Sequence, residues 1–367
     1  MREGILQDNI YKRAVEKNIS KKNKCDESIG NISISSSATY RDVEKNVSAS
    51  DTDSRQSASD TNIEKSSSDG FYFCVFALIE AVNNLRIRAA EGQIYTKVNI
   101  IIPEHYTEND LKSIILSLND CLTLANAKIA QCMVNVWSCV TSPIMNVEAF
   151  LTDAADVKEA VKKISLKSKK SSEQHNTSAG AADGNICDKN SADGMLSIVA
   201  FGEVGISYTK ATLNDETVME SCKKRFSNEY ISDMDYDYGA MLINLSKDVI
   251  DNSRLIINSS ECGINGALWK LAEMSDCGFE VDYKAIPVKQ SVVELSELLK
   301  RDIYNMHSLG SGIILTDNPD EIVNKLKELG INAAQIGALT KEKSKIILGV
   351  DTRSNMNRPD MDEIYVI

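Results

Sequence analysis

Two glycines stand at the start of a predicted helix in the segment NSSECGINGALWKLAEM, residues 258–274. Gly263 and Gly266 leave the backbone open to a close neighbour. The unpaired N–H groups at a helix N-terminus bind anions such as phosphate, so this turn is a candidate phosphate site. The alternative is that the glycines only permit close packing of the helix against a neighbouring strand.

Other reactive residue types give weaker signals. Cys262 precedes the same helix, where the helix dipole lowers a thiol pKa, but we predict a buried, inert cysteine. Ser311 lies in LGSGI, which is not a GxSxG nucleophile elbow, and we predict a serine in a turn. The chain has nine cysteines without a CxxC pair, and its three histidines have no metal-ligand spacing, so the sequence gives little support for a zinc site.

Helices and strands alternate around these residues, which predicts an α/β or α+β fold. The clearest helix is TENDLKSIILSLNDCLTLANA, residues 107–127, where Thr107 and Asp110 fit a capping box. Its predicted apolar stripe contains Leu111, Ile114, Ile115, Leu118 and Leu122. A buried strand, KVNIIIP, precedes it. The strands KIAQCMVNVWSCV and PIMNVEAFLT follow, and we expect these two to pair.

The C-terminal third predicts a compact sheet with two covering helices. GIILTD is a strand, and Pro319 occupies the first turn of the helix that follows. AAQIGALT and SKIILGV are expected to form a closing hairpin. The helices that begin near Gly263 and Pro319 each have one apolar stripe, and we expect both to cover the same side of the sheet.

Two polar segments divide the chain. Serine, aspartate, asparagine and lysine dominate residues 19–70 and 165–194, and such composition predicts disordered insertions. The expected organisation is an N-terminal helix over 1–18, an N-terminal domain over 71–164 and a C-terminal domain over 195–367.

Composition limits the partners. The 367 residues carry a formal charge of −12, which argues against nucleic acid and anionic membrane surfaces as partners. No apolar run approaches the roughly 20 residues of a membrane span, and the N-terminus lacks the apolar core of a signal peptide. We therefore expect a cytoplasmic protein.

A family resemblance rests on GINGALWKLAEMSDCGFEVDYKAIPV, on GSGIILTDNPDEIVNKLKELGINAAQIGALT and on the tail RPDMDEIYVI. These segments resemble the AIR synthase (PurM-like) superfamily, closest to its bacterial AIR synthase-related, hydrogenase maturation factor-like (carbamoyl-dehydratase type) group. The resemblance implies a two-domain PurM-like fold, with a dimeric β-barrel-like interface formed by the N-terminal domain and a C-terminal α/β sandwich. It also implies an ATP cleft with Mg²⁺, aspartates and glycine-rich turns.

The resemblance places the family's nucleotide and metal site on five residues of this chain. Asn84, Asn135 and Asn258 stand where the family has acidic residues, and Gly263 and Gly266 open the glycine-rich helix. Mg²⁺ is usually held by carboxylates together with nucleotide phosphates, and asparagine offers only a neutral amide oxygen. We therefore interpret the site as vestigial, with packing as the role of the glycines and with no catalytic or metal-binding residue.

These observations favour a pseudoenzyme that binds or scaffolds, forms a homodimer and has an unknown protein partner. No cofactor is expected, and ATP and Mg²⁺ would bind only if the site is active. One alternative is an active ATP-dependent enzyme of hydrogenase maturation or a related ligase or synthetase. A second alternative is a small-molecule sensor that uses the old cleft.

Overall fold

The structure is a computed structural model that describes residues 4–5, 8–20, 23–24, 32–41, 73–88, 92–152, 179–181, 195–349 and 352–366. Within these residues the strands form two sheets, one of five strands and one of eight. Helices cover both sheets, and this two-sheet α/β architecture agrees with the predicted fold class.

The N-terminal sheet contains β1 (Gly4–Ile5), β2 (Ile32–Arg41), β3 (Ile94–Pro103), β4 (Ala127–Trp137) and β5 (Ile144–Thr152). Their order is β1-β4-β3-β5-β2, with β3 parallel to β4 and antiparallel to β5. The predicted pairing of β4 with β5 is therefore wrong. The long helix between β3 and β4 allows a parallel crossover, which places β3 in the middle and separates the two strands.

The helices of this half are α1 (Asp8–Tyr11), α2 (Phe76–Arg86) and α3 (Glu108–Leu124). A π-helix (Lys12–Glu16) continues α1, and a short 3₁₀ turn (Phe73–Val75) precedes α2. The predicted capping box of α3 is confirmed, since Thr107 Oγ1 accepts from the Asp110 N–H and Asp110 accepts from the Thr107 N–H. The predicted apolar stripe of α3 is fully buried against the sheet.

The predicted disordered insertions contain ordered strands. Ile32–Arg41 pairs along nearly the whole of β5, with Ala38 buried and Ser36 Oγ donating to the Ala81 carbonyl on α2. In the second insertion, β6 (Ala179–Ala181) pairs with a strand of the larger sheet. The interpretation as disorder is wrong for these residues, because each finds an open strand edge to pair with. Residues 19–20 and 23–24 of the first insertion are also described, and the buried Asn23 side chain donates to the Asn119 carbonyl on α3 at 3.0 Å. All other residues of both insertions lie outside the described ranges, and the domain boundaries stay a prediction.

The larger sheet contains β6 and seven further strands: β7 (Ser197–Phe201), β8 (Leu255–Ser259), β9 (Gly278–Asp282), β10 (Ser308–Thr316), β11 (Ala333–Thr340), β12 (Lys345–Leu348) and β13 (Arg353–Asn355). Their order is β13-β12-β9-β11-β7-β10-β8-β6, and only β12 with β9 is parallel. The predicted hairpin of β11 with β12 is wrong, because β9 lies between these two strands and pairs with both.

The helices of this half are α4 (Ile206–Leu213), α5 (Glu216–Arg225), α6 (Asn228–Met234), α7 (Lys247–Asp251), α8 (Gly263–Ser275), α9 (Gln290–Leu299) and α10 (Pro319–Glu328). Short 3₁₀ turns occupy Tyr238–Met241, Tyr283–Ala285, Ile303–Asn305 and Glu363–Val366. Leu268 of α8 and Leu326 of α10 are both fully buried, as predicted.

These two helices lie on opposite faces of the sheet, so the prediction of a single covered side is wrong. On β7, Ile198 and Ala200 pack in the cluster that contains α8. Val199 and Phe201 pack in the cluster that contains α10. Successive residues of a strand point to opposite faces, and an apolar run such as SIVAF can be buried on both.

One hydrophobic core joins the two halves. It contains the inward face of the N-terminal sheet together with Tyr208 of α4, Met306, Leu309 and Ile364. The buried Asn83 amide on α2 adds a two-point clamp, donating to the Met241 carbonyl at 2.8 Å and accepting from the Ile243 N–H at 2.8 Å. Among the described residues, no helix has both the length and the apolar character needed to span a membrane.

Candidate functional site

The glycine-rich start of α8 is a tight left-handed turn. Cys262 has φ 53° and Gly263 has φ 56°, a region that costs L-residues about 1–2 kcal/mol but not glycine. A Cβ atom on Gly263 would lie 2.5 Å from the Met306 carbonyl oxygen. A Cβ atom on Gly266 would collide with the Glu261 carbonyl oxygen. Close backbone packing is therefore sufficient reason for both glycines.

A carboxyl group occupies this helix start, and it belongs to the same chain. The Cys262 N–H donates to Asp362 Oδ2 at 2.7 Å, and the Ile364 N–H donates to Asp362 Oδ1 at 3.0 Å. The backbone of His307 also hydrogen-bonds this carboxylate. Asp362 is only 3% exposed, and burial raises its pKa to about 7 against the opposing effect of these hydrogen bonds.

Two of the predicted site residues meet at the junction of the two halves. Asn258 is the last residue but one of β8, and its Nδ2 donates to Oδ1 of Asn84 on α2. Both side chains are buried. The Ser260 hydroxyl lies 2.9 Å from Asn258 Oδ1 and 2.8 Å from Glu80 Oε1, so Glu80 places a carboxylate at the edge of this amide pair.

The direct contact of the amide pair needs no cation. One asparagine supplies the donor and the other supplies the acceptor, and the Oδ1 atom of Asn258 accepts from Ser260. Two carboxylates at the same positions would repel each other and would require a proton or a metal ion between them. No three His, Cys, Asp or Glu side chains form a metal-binding group within the described residues.

Asn135 lies elsewhere, so the structure does not bring it together with Asn84 and Asn258. Its Nδ2 donates to Asn99 Oδ1 on the neighbouring strand β3 at 3.0 Å. The flanking residues Val134 and Val136 point into the core beneath α2 and α3. Strand alternation therefore places Asn135 on the opposite face of the N-terminal sheet.

The other candidate side chains show no sign of reactivity. Burial, followed by the charges of Asp362 and Glu261, raises the pKa of Cys262 to about 12, which agrees with the predicted inert thiol. Ser311 lies in β10 and not in a turn, with Oγ 3.0 Å from the Ser308 carbonyl oxygen. His307 is buried, and desolvation lowers its pKa to about 3, so the ring is neutral.

Sequence reasoning missed Asp362, Glu80 and Ser260. Asp362 stands in an acidic tail beside Asp360 and Glu363, and no local signal distinguishes it from them. Glu80 lies one turn before Asn84 on α2, and this i, i+4 spacing could have indicated that the two share a helix face.

The comparisons with known proteins agree with this architecture. Residues 259–349 match the family model described as AIR synthase related protein, C-terminal domain. E. coli HypE superposes with a TM-score of 0.61 at 14% identity, covering 96% of this chain and 97% of that chain. The hydrogenase maturation protein HypE in complex with ATP gives a TM-score of 0.60 at 13% identity, covering 97% and 93%.

Thiamine monophosphate kinase from Aquifex aeolicus gives a TM-score of 0.54 at 9% identity, covering 86% of this chain and 87% of that chain. No curated protein matches the sequence significantly. The predicted resemblance to the AIR synthase (PurM-like) superfamily and the mixed α/β fold class are confirmed, and the dimeric β-barrel-like interface stays a prediction.

Proposed function

We propose that this chain is an AIR synthase-related, hydrogenase maturation factor-like protein with a decayed ATP and Mg²⁺ site, and that it works by binding or scaffolding. The observation that carries the proposal is the contact of Asn84 with Asn258. Mg²⁺ is usually held by carboxylates plus phosphates, and this contact uses two neutral amides that already satisfy each other.

The charges around the start of α8 support the same proposal. Asp362 brings a carboxylate to the N–H group of Cys262, and the charges of Glu261 and Asp360 also act on the Cys262 thiol. Lys270 on α8 forms an ion pair with Glu261 at 3.6 Å. A nucleotide triphosphate would have to displace Asp362 and enter an acidic environment, which opposes its binding.

Calorimetry with Mg-ATP tests the proposal on the unmodified chain. We expect no binding at millimolar nucleotide, a threshold equivalent to about 4 kcal/mol. An Asp362→Ala variant is the useful companion, since it removes the internal carboxylate but leaves the amide pair intact. If the wild-type chain binds Mg-ATP at micromolar concentration, the pseudoenzyme proposal is wrong.

The second candidate function is an active ATP-dependent enzyme, and Glu80 favours it. This carboxylate lies beside the amide pair and within 2.8 Å of the Ser260 hydroxyl, so it is the residue that could still ligate Mg²⁺. Steady ATP turnover that Glu80→Gln abolishes, while Glu104→Gln on the exposed loop before α3 does not, would establish this function in place of the first.

We also propose a homodimer in the cytoplasm, with a further protein partner of unknown identity. Unpaired strand edges do not support the homodimer, because β3 and β5 are each paired on both sides within the chain. The support comes from the outer face of the N-terminal sheet, where Met133 and Trp137 on β4 are 37% and 43% exposed. Light scattering should give a dimer mass for the wild type and a smaller mass for Trp137→Glu.

A further inference from the structure

A cavity of about 280 Å³ lies where α2 ends between the two halves of the molecule. Strands β3 and β5 form one side, and the segment 243–246 before α7 forms another. The volume is close to the lower end of the range of about 300–1,000 Å³ that is typical of small-molecule sites. The cavity is therefore large enough for a small ligand.

Arg86 is the only charged residue in the described wall of this cavity. Its guanidinium donates to three neutral oxygens: the carbonyl oxygens of Ala125, at 2.7 Å, and Ile243, at 3.3 Å, and the side-chain oxygen of Asn244. No carboxylate among the described residues forms an ion pair with it. Among the described residues, the positive charge is thus held at the wall by dipoles and not by a counter-ion.

Such an arrangement is unfavourable without an anion. Burial opposes the charged form of Arg86, and desolvation is the cause of its lowered pKa. The Ala125 carbonyl belongs to the C-terminus of α3, where the helix dipole offsets part of the charge. The part of the Arg86 charge that the dipole does not offset gives the cavity wall a net positive potential, which attracts negatively charged groups.

Other donors and an apolar wall surround the guanidinium. Asn244 Nδ2 makes no hydrogen bond within the described part of the chain, and Ser246 uses its oxygen to accept from the Val249 N–H, which leaves its proton available. Ile94 and Leu151 supply apolar surface in the same cavity. A ligand that matches both features has one anionic group and a short apolar body.

We propose that this cavity binds a small organic anion, with its carboxylate or phosphate group on Arg86, Asn244 and Ser246 and its apolar body on Ile94 and Leu151. This site is separate from the amide pair and from the start of α8. It requires neither Mg²⁺ nor ATP, so it does not depend on the proposed pseudoenzyme function.

The test is a titration of the full chain with benzoate, phenyl phosphate and inorganic phosphate, followed by calorimetry and by ligand-observed NMR. The neutral controls are benzamide and benzyl alcohol. We expect benzoate or phenyl phosphate to bind at least about tenfold more tightly than its neutral control, since charged hydrogen bonds are the stronger ones. Comparing the affinities of benzoate and phenyl phosphate identifies the preferred anionic group. Comparing phenyl phosphate with inorganic phosphate shows whether binding requires the apolar body.

Two matched variants locate the binding, and they leave Arg86 intact because it also joins the two halves. Leu329 lines the cavity and is 45% exposed, whereas Leu124 is 48% exposed and is not part of the wall. Leu329→Glu should weaken anion binding about tenfold or more, because its carboxylate competes for Arg86. Leu124→Glu should leave the affinity unchanged.

Three results would overturn the proposal: neutral probes that bind as tightly as the anions, equal affinities in the two variants, or no binding of any anionic probe at about 10 mM. Each is independent of the outcome of the Mg-ATP titration, so the two proposals can fail separately.

Discussion

Placing acids at the amide pair should make the fold depend on a cation. In the double variant Asn84→Asp, Asn258→Asp, two carboxylates replace two amides that are 4% and 3% exposed and in direct hydrogen-bond contact. No donor remains between them, and Glu80 adds a third carboxylate nearby through Ser260. The variant therefore either retains a proton between the two acids or takes up a metal ion.

Without a metal ion, the double variant loses free energy of unfolding because its two carboxylates are buried. Leaving a buried charge unpaired typically costs about 3–5 kcal/mol, and partial protonation of the pair reduces this value. An unfolding entropy of about 2.1 cal/mol/K per residue makes 1 kcal/mol equivalent to roughly 1.3 °C in melting temperature for a chain of 367 residues, so we expect a loss of about 5 °C in chelator. Lowering the pH should recover part of this loss, because the acids then become protonated.

Magnesium should restore stability in the double variant only. At a concentration ten times the dissociation constant, binding to the native state adds about 1.4 kcal/mol, or roughly 2 °C. The assay is thermal unfolding in EDTA and in millimolar Mg²⁺, with the wild type and Asn135→Asp as controls, since Asn135 is a part-buried asparagine on the far face of the N-terminal sheet. If Mg²⁺ has no effect on the double variant, or the same effect on Asn135→Asp, the assignment of this pair as the former metal site is refuted.

Three further predictions concern stability. Asn83→Ala should lower the free energy of unfolding by about 2–4 kcal/mol in urea denaturation, because two buried hydrogen bonds between the halves are lost; a loss below 1 kcal/mol would show that water replaces the clamp. The raised pKa of Asp362 means that the docked tail favours the protonated acid, so its stabilising contribution is complete below about pH 4 and is lost as the pH rises through 7. Melting temperatures from pH 4 to 8 should show this decline in the wild type and not in Asp362→Asn. Cys262→Gly should raise the free energy of unfolding by about 1 kcal/mol, because glycine adopts φ 53° without strain, and an unchanged or lower value in urea denaturation would contradict this.

Local sequence signals were sufficient for features that depend on neighbours along the chain. The capping box at Thr107 and the placement of Pro319 in the first turn of α10 were both predictable, because a helix start is decided by residues within one turn of it. The buried stripe of α3 follows from its 3.6-residue period in the same way. The family resemblance also came from contiguous segments, and it brought the two-sheet fold and the positions of Asn84 and Asn258 with it.

Strand order and helix face were decided only by the tertiary structure. The β11 and β12 strands are adjacent in sequence, but β9 lies between them, and nothing local in AAQIGALT or SKIILGV excludes a hairpin. The short apolar strands of the larger sheet are buried on both faces, so their sequences do not show which side each helix covers. The strand Ile32–Arg41 was not predicted either, because it is stabilised by pairing with β5 and its own sequence is polar.

The candidate site likewise has some features that the sequence predicts and others that only the tertiary structure shows. The family resemblance predicts that asparagines replace acids at positions 84 and 258, and this stays a prediction, whereas the sequence alone shows that glycines open α8. Only the folded chain showed that Asn84 and Asn258, 174 residues apart, hydrogen-bond each other, that Asn135 faces away, and that Asp362 occupies the start of α8 from 100 residues downstream of Cys262. Contacts over such separations depend on how whole elements pack, and a sequence pattern within one element carries no information about that packing.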